Sequence, residues 1–261
     1  MTTPASAKRS DLPVRTVAGI AMIAVAVAAL WFGGFAFWLL AAVVALFMMA
    51  EWSDLHGADA KHKRLAQYAL FVPLALLSPW GAGADFFVLG LLAGAAFFTV
   101  IVTGRSKLAV GTVYCGLPVI ALVLLRSEPA GLLYAIWAMA LVWATDIGAY
   151  FAGRAIGGPK LAPRISPSKT WAGLIGGVFA AGLFGFALHV WAGLPFALAA
   201  ATPLLAVLAQ GGDLYESTLK RRAGVKDSGN VLPGHGGVMD RLDGLVPVAP
   251  VAALLVEVLR P

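Results

Sequence analysis

The chain is poor in cysteine and in charge. Of its 261 residues one is cysteine, Cys115, so no disulfide can form within the chain and cysteine usage says nothing about the redox compartment. Cys115 lies in an apolar run and reads as a packing residue. Charged residues make up 12% of the chain against 60% hydrophobic, a balance that leaves a water-soluble domain nowhere to place its apolar surface. Internal repeats, a low-complexity tail and a linker long enough to set off a separate soluble domain are all lacking. Basic residues precede the first apolar stretch as in a signal peptide, but no small-residue cleavage site follows before the next span, and this stretch is expected to be a retained helix.

What is present is a series of apolar runs of spanning length. They predict an all-α polytopic membrane protein of about nine transmembrane helices, near 14–32, 34–50, 65–80, 84–102, 107–125, 130–152, 170–191, 195–212 and 244–259. Lys and Arg fall on alternate connections: 17 of the 19 lie on one side, leaving Arg126 and Arg260 on the other. The positive-inside rule then puts the N-terminus in the cytoplasm and the C-terminus outside. The formal charge of +6 is mostly this orientation signal, with attraction of anionic membrane lipids as a second role. Gly90-x-x-x-Gly94 and the small-residue run Gly173–Gly182 predict close helix packing, with a homodimer seam as the alternative use. The eight Trp and fourteen Phe fit interfacial belts and apolar faces without base stacking, and no nucleic-acid partner is expected.

The polar residues concentrate in three segments, all on the inferred cytoplasmic side. Asp146, Tyr150 and Arg154 have the spacing of one helical face, which fits either a site or a polar stripe joining helices. The Gly-rich basic stretch after them matches neither a Walker A loop nor a dinucleotide fingerprint. Ser166, Ser168, Lys169 and Thr170 precede the seventh span, where unpaired backbone N–H groups suit either an anion or an ordinary helix cap. The block 213–243 holds five of the thirteen acids and five of the nineteen Lys and Arg in about an eighth of the chain. Charge near hydrocarbon is costly and usually faces a polar cavity or a charged partner. Asp213, Ser217 and Lys220 share a helical face with Glu216 beside them, and Asp240 and Asp243 at i, i+3 are expected on another. Hard carboxylate oxygens suit Mg²⁺, which binds few carboxylates together with substrate phosphates, and the neighbouring cations suit phosphate oxygens. The chemistry implied is phosphoryl or nucleotidyl transfer at a membrane surface.

Ser217-x-x-Lys220-Arg221, Lys226-Asp227 and Leu232-Pro233-x-His235-Gly236-Gly237-x-x-Asp240-Arg241-x-Asp243 together resemble the signature of the phosphatidate cytidylyltransferases. Upstream, Asp146-x-Gly148-Ala149-Tyr150 and Ser166-Pro167-x-Lys169-Thr170 are similar to two further segments of that family in the same order. Ile147 and Ala172 stand where the family often has Thr and Glu, so any hydroxyl or carboxylate role there is absent or supplied elsewhere. The resemblance implies a bacterial inner-membrane enzyme that joins CTP to phosphatidate, with its catalytic region in 126–261, N-terminal helices in 1–125, and its site facing the cytoplasm. It implies Mg²⁺, replaceable by Mn²⁺, on Asp213, Asp240 and Asp243 with Asp146, and room for a second cation. Lys169, Lys220, Arg221, Lys226 and Arg241 would hold phosphates. Ser166, Ser217, Thr170 and Tyr150 would contact substrate, and His235 would serve as a phosphate donor or loop organiser. His56, His62 and His189 are expected to be incidental. A CTP-dependent lipid kinase, a cytidylyltransferase for another lipid phosphate, and an anionic-lipid transporter are the alternatives.

Overall fold

A computed structural model describes residues 12–83, 85, 87–232, 234 and 236–259. Among them are nine α-helices: α1 Leu12–Phe32, α2 Gly34–Leu55, α3 Ala60–Leu76, α4 Phe87–Thr103, α5 Ser106–Ser127, α6 Gly131–Ile156, α7 Trp171–Ala192, α8 Phe196–Arg222 and α9 Leu245–Val258. Each grows from one of the apolar runs, because a chain in hydrocarbon must satisfy its backbone polar groups within its own segment. Five of them, α2, α5, α6, α7 and α8, are long and apolar enough to cross a membrane. α4 and α9 are apolar but shorter, at 17 and 14 residues. The chain is an all-α polytopic membrane protein.

α5 is the centre of the bundle, touching α2, α3, α4, α6 and α9, with Cys115 fully buried in its middle. α6 and α7 pack most closely, and small residues allow it. A Cβ on Gly148 would lie 2.7 Å from the Gly176 carbonyl, and one on Gly177 would lie 2.7 Å from the Thr145 carbonyl. The Gly173–Gly182 run is thus spent within the chain, as packing in lipid requires. Gly90 and Gly94 differ, since a Cβ on either would meet no atom within 4 Å.

At one end of the bundle, Arg126 donates from Nε and Nη2 to the carbonyls of Leu30 and Trp31, at 2.8 and 3.2 Å, and so closes the end of α1. At the other end the C-termini of α2, α6 and α8 meet the N-termini of α5 and α7. Trp52 on α2 donates its indole N–H to the Lys107 carbonyl at 2.8 Å, and Gln210 on α8 reaches Asp146 on α6.

Two segments differ from what spacing alone suggested. The Ser166–Thr170 segment, which leads into the seventh span, is extended. It is strand β2, Ser166–Thr170, paired antiparallel with β1, Lys160–Ala162, with Lys160 opposite Thr170 and Ala162 opposite Ser166. Pro163 and Pro167 disfavour the helical region at the residues before them, which are those two paired positions, Ala162 and Ser166. Secondly, Asp240 and Asp243 do not share a helical face: the segment holds a single 3-10 turn, Met239–Arg241, and Asp243 follows it in the link to α9.

Candidate active site

α8 runs on past its apolar part without a break, and its last turns carry Asp213, Glu216, Ser217 and Lys220. The expected spacing is realised, as the Ser217 hydroxyl donates to Asp213 Oδ1 at 3.2 Å. Lys220 Nζ lies between two acids, 3.1 Å from Glu216 Oε1 and 2.6 Å from Asp240 Oδ1. Glu216 is fully buried, and its second oxygen has no hydrogen-bond partner. A carboxylate so placed depends on its one cation.

Asp240 is anchored on both oxygens. Beyond the Lys220 contact, its Oδ2 accepts the N–H groups of Ser228 and Gly237, at 2.9 and 2.8 Å. Burial alone would raise this carboxyl, but the hydrogen bonds from Lys220, Gly237 and Ser228 hold it below the ordinary range. Asp243 lies in a different environment. Burial, then the charge of Asp213 and that of Asp146, push it up to about 7, against the hydrogen bond it accepts from the Gly244 N–H at 2.7 Å.

The upstream segments close around the same place. Lys169 on β2 forms an ion pair with Asp213 on α8, which fastens the hairpin to the polar end of that helix. Asp146 accepts from Gln210 Nε2 at 3.3 Å rather than pairing with Arg154. Arg154 donates instead to the Tyr150 hydroxyl at 2.9 Å, and both side chains are exposed. Thr170 caps α7, its hydroxyl oxygen accepting the Gly173 N–H at 3.0 Å, so the cap reading holds at that position. Ser166 stands half-buried at the start of β2. Arg221, Lys226 and Arg241 are exposed on the rim, with Arg221 Nη1 donating to the Val225 carbonyl at 3.2 Å. His235 lies outside the described residues. The remaining histidines serve local structure: His56 and His189 contact the carbonyls of Trp52 and Leu194, and His62 contacts Asp59 at the start of α3.

Among the described residues, no group of three or more His, Cys, Asp or Glu side chains is gathered into a ready metal cage. Burial is the main cause of the raised Asp243 carboxyl, and the negative charges of Asp213 and Asp146 add to it. Oxygen donors in this relation fit a hard divalent cation, which would relieve the repulsion. Asp240 differs from these three in having both oxygens already engaged by the chain.

One carboxylate was not among the sequence candidates. Glu51, near the C-terminus of α2, is 3% exposed and accepts hydrogen bonds from residues 228, 238 and 239. An acid at the end of an apolar helix that shows no cation nearby in sequence is the signal that could have marked it.

A family model described as "Cytidylyltransferase family" matches residues 13–259. A Brucella suis protein named phosphatidate cytidylyltransferase is 41% identical over 246 residues, which covers 92% of this chain and 91% of that protein. A protein of the same name from Pseudomonas aeruginosa is 38% identical over 251 residues, 85% of this chain and 90% of the relative. The Rickettsia bellii protein of that name is 30% identical over 254 residues, 94% and 90% of the two chains. With its model spanning nearly the whole sequence and the acids and cations of the signature drawn to one end of the bundle, the chain belongs to the cytidylyltransferase family.

Proposed function

We propose that the chain transfers the cytidylyl group of CTP to phosphatidate, giving CDP-diacylglycerol and pyrophosphate. The observation that carries this reading is the pairing of Lys169 with Asp213, and of Lys220 with Glu216 and Asp240, at one end of an apolar bundle. Such an end can take one partner from the bilayer and the other from water. A phosphate monoester has its second pKa near ~6, so the lipid phosphate is largely ionised at neutral pH and needs no strong base. A phosphatidate oxygen forms a bond to the α-phosphorus of CTP, the α–β anhydride bond breaks, and pyrophosphate carries away the electron pair.

The harder task for the protein is to hold two anions together. Lys169 and Lys220, each paired with acids of the site, would turn to the phosphate oxygens, and Arg221, Lys226 and Arg241, exposed on the rim, would draw in the nucleotide. Asp213, Asp243 and Asp146 would hold Mg²⁺ or Mn²⁺, which supplies charge neutralisation of the phosphates when bound. The cation bias of the loops supports a cytoplasmic site in a bacterial inner membrane, on the side where CTP is made.

The test is a product assay on the detergent-solubilised protein. CTP should release pyrophosphate when phosphatidate is supplied and not when diacylglycerol is. Release of CDP with diacylglycerol would assign a lipid kinase instead, and CTP left intact with both lipids would refute transfer altogether.

A further inference from the structure

We propose that Glu51 is a positioning residue for the catalytic loop, supplied by the N-terminal half of the chain. Its carboxylate accepts the Ser228 hydroxyl on Oε2, the Val238 N–H on Oε1 and the Met239 N–H on Oε2, all at 2.8 Å. Those two N–H groups open the 3-10 turn that carries Asp240. They lack partners within the turn, and a carboxylate at a helical N-terminus satisfies them. Among the described residues Glu51 forms no salt bridge, so the loop itself supplies its polar contacts.

Ser228 joins this carboxylate to the site. Its hydroxyl binds Glu51 while its N–H binds Asp240 Oδ2, and Gly237, next to the Glu51-bound Val238, donates to the same Asp240 oxygen. Glu51 and Asp240 thus hold the two ends of the loop together from opposite sides. The third contact of Asp240, with Lys220, then ties the closed loop to α8.

The glycines of the loop fit the same reading. A Cβ on Gly229 would lie 2.7 Å from Glu51 Oε1, and one on Gly237 would lie 2.6 Å from Oε2. Real Cβ atoms do not come so close, so the absence of a side chain at both positions is what lets the backbone wrap the carboxylate. Glu51 touches neither reacting group; it acts through Asp240 and the turn leading to Asp243.

This inference rests on the proposed transfer reaction for its catalytic meaning, but its test does not need that reaction. Full-length Glu51→Gln, which keeps the shape and places an amide –NH₂ opposite hydrogen-bond donors, is compared with wild type by amide hydrogen exchange and by Mn²⁺ affinity, both without CTP or lipid. Exchange in peptides carrying Ser228 and Gly237–Met239 should speed up by about tenfold or more while α5 and α6 stay protected. Mn²⁺ binding should weaken by about tenfold, as is usual when a residue supporting a metal site is lost. Turnover should fall in kcat more than in the KM for CTP. Ser228→Ala, which removes one of the three contacts, should move each readout the same way by less, and it decides the matter if Glu51→Gln does not purify. Exchange unchanged at these peptides, or raised equally across the bundle, overturns the positioning role. A wild-type protein inert toward CTP would instead defeat the reaction and leave the exchange result to judge Glu51.

Discussion

Replacing Lys220 with Met removes one positive charge from between two carboxylates and keeps a side chain of similar length. Glu216 is fully buried 3.1 Å from the amine, and Asp240 lies 2.6 Å away. Removing one partner of a buried ion pair costs about 3–5 kcal/mol, because the other charge is left stranded. Lys220 keeps 12% side-chain exposure and Asp240 retains its two backbone donors, so the lower end, about 3 kcal/mol, applies. For a chain of this size each kcal/mol lowers the unfolding midpoint by about 2–4 °C, so thermal unfolding in detergent should move down by about 6–12 °C. Lys220→Met combined with Glu216→Gln removes the stranded charge and should recover about half of that loss. Turnover should behave differently. If Lys220 also holds a phosphate, both variants lose activity by over about tenfold, or about 1.4 kcal/mol in barrier. A midpoint unchanged in the single variant, or no higher in the double, would refute the stranded-charge argument.

Two further outcomes follow from the site and the topology. Below about pH 7 Asp243 carries a proton that a metal must displace, so half-saturating Mg²⁺ for turnover should fall as pH rises from about 6 to about 8; an equal Mg²⁺ requirement across that range would remove Asp243 from the metal site. In a Cys115→Ala background, a membrane-impermeant thiol reagent added outside intact cells should label Glu128→Cys, at a half-buried position, and miss Asn230→Cys, at an exposed one, and the reverse would overturn the orientation. Ser228 would be a poor probe site, being 6% exposed with its hydroxyl on Glu51.

The helices were legible because hydrocarbon leaves an apolar run few other structures. Their polar ends were read less well. α3 begins at Ala60 rather than near 65, since Asp59 caps it and the charged turn Lys61–Arg64 is helical though not apolar. The α8 face of Asp213, Ser217 and Lys220 followed from spacing alone, and the structure keeps it. The hairpin 160–170 was missed because its pairing is too short to show alternation, and only the two prolines hinted at extended backbone. Spacing likewise suggested a shared face for Asp240 and Asp243, but the turn ends at Arg241. Glu51 was hidden for a different reason: its partners lie 177 to 188 residues further along the chain, and no local pattern encodes a contact of that range.

The unbroken course of α8 has a consequence for how the reactants travel. Its 27 residues make a rod of about 40 Å at about 1.5 Å per residue, while the oily interior of a bilayer is about 30 Å thick. With the surplus of about 10 Å set on the polar side, Asp213 through Lys220 would stand at the layer where lipid phosphates reside. A phosphatidate molecule can then arrive by sideways diffusion and leave as product in the same plane, its tails never withdrawn from the oil. Only the nucleotide and pyrophosphate cross into water.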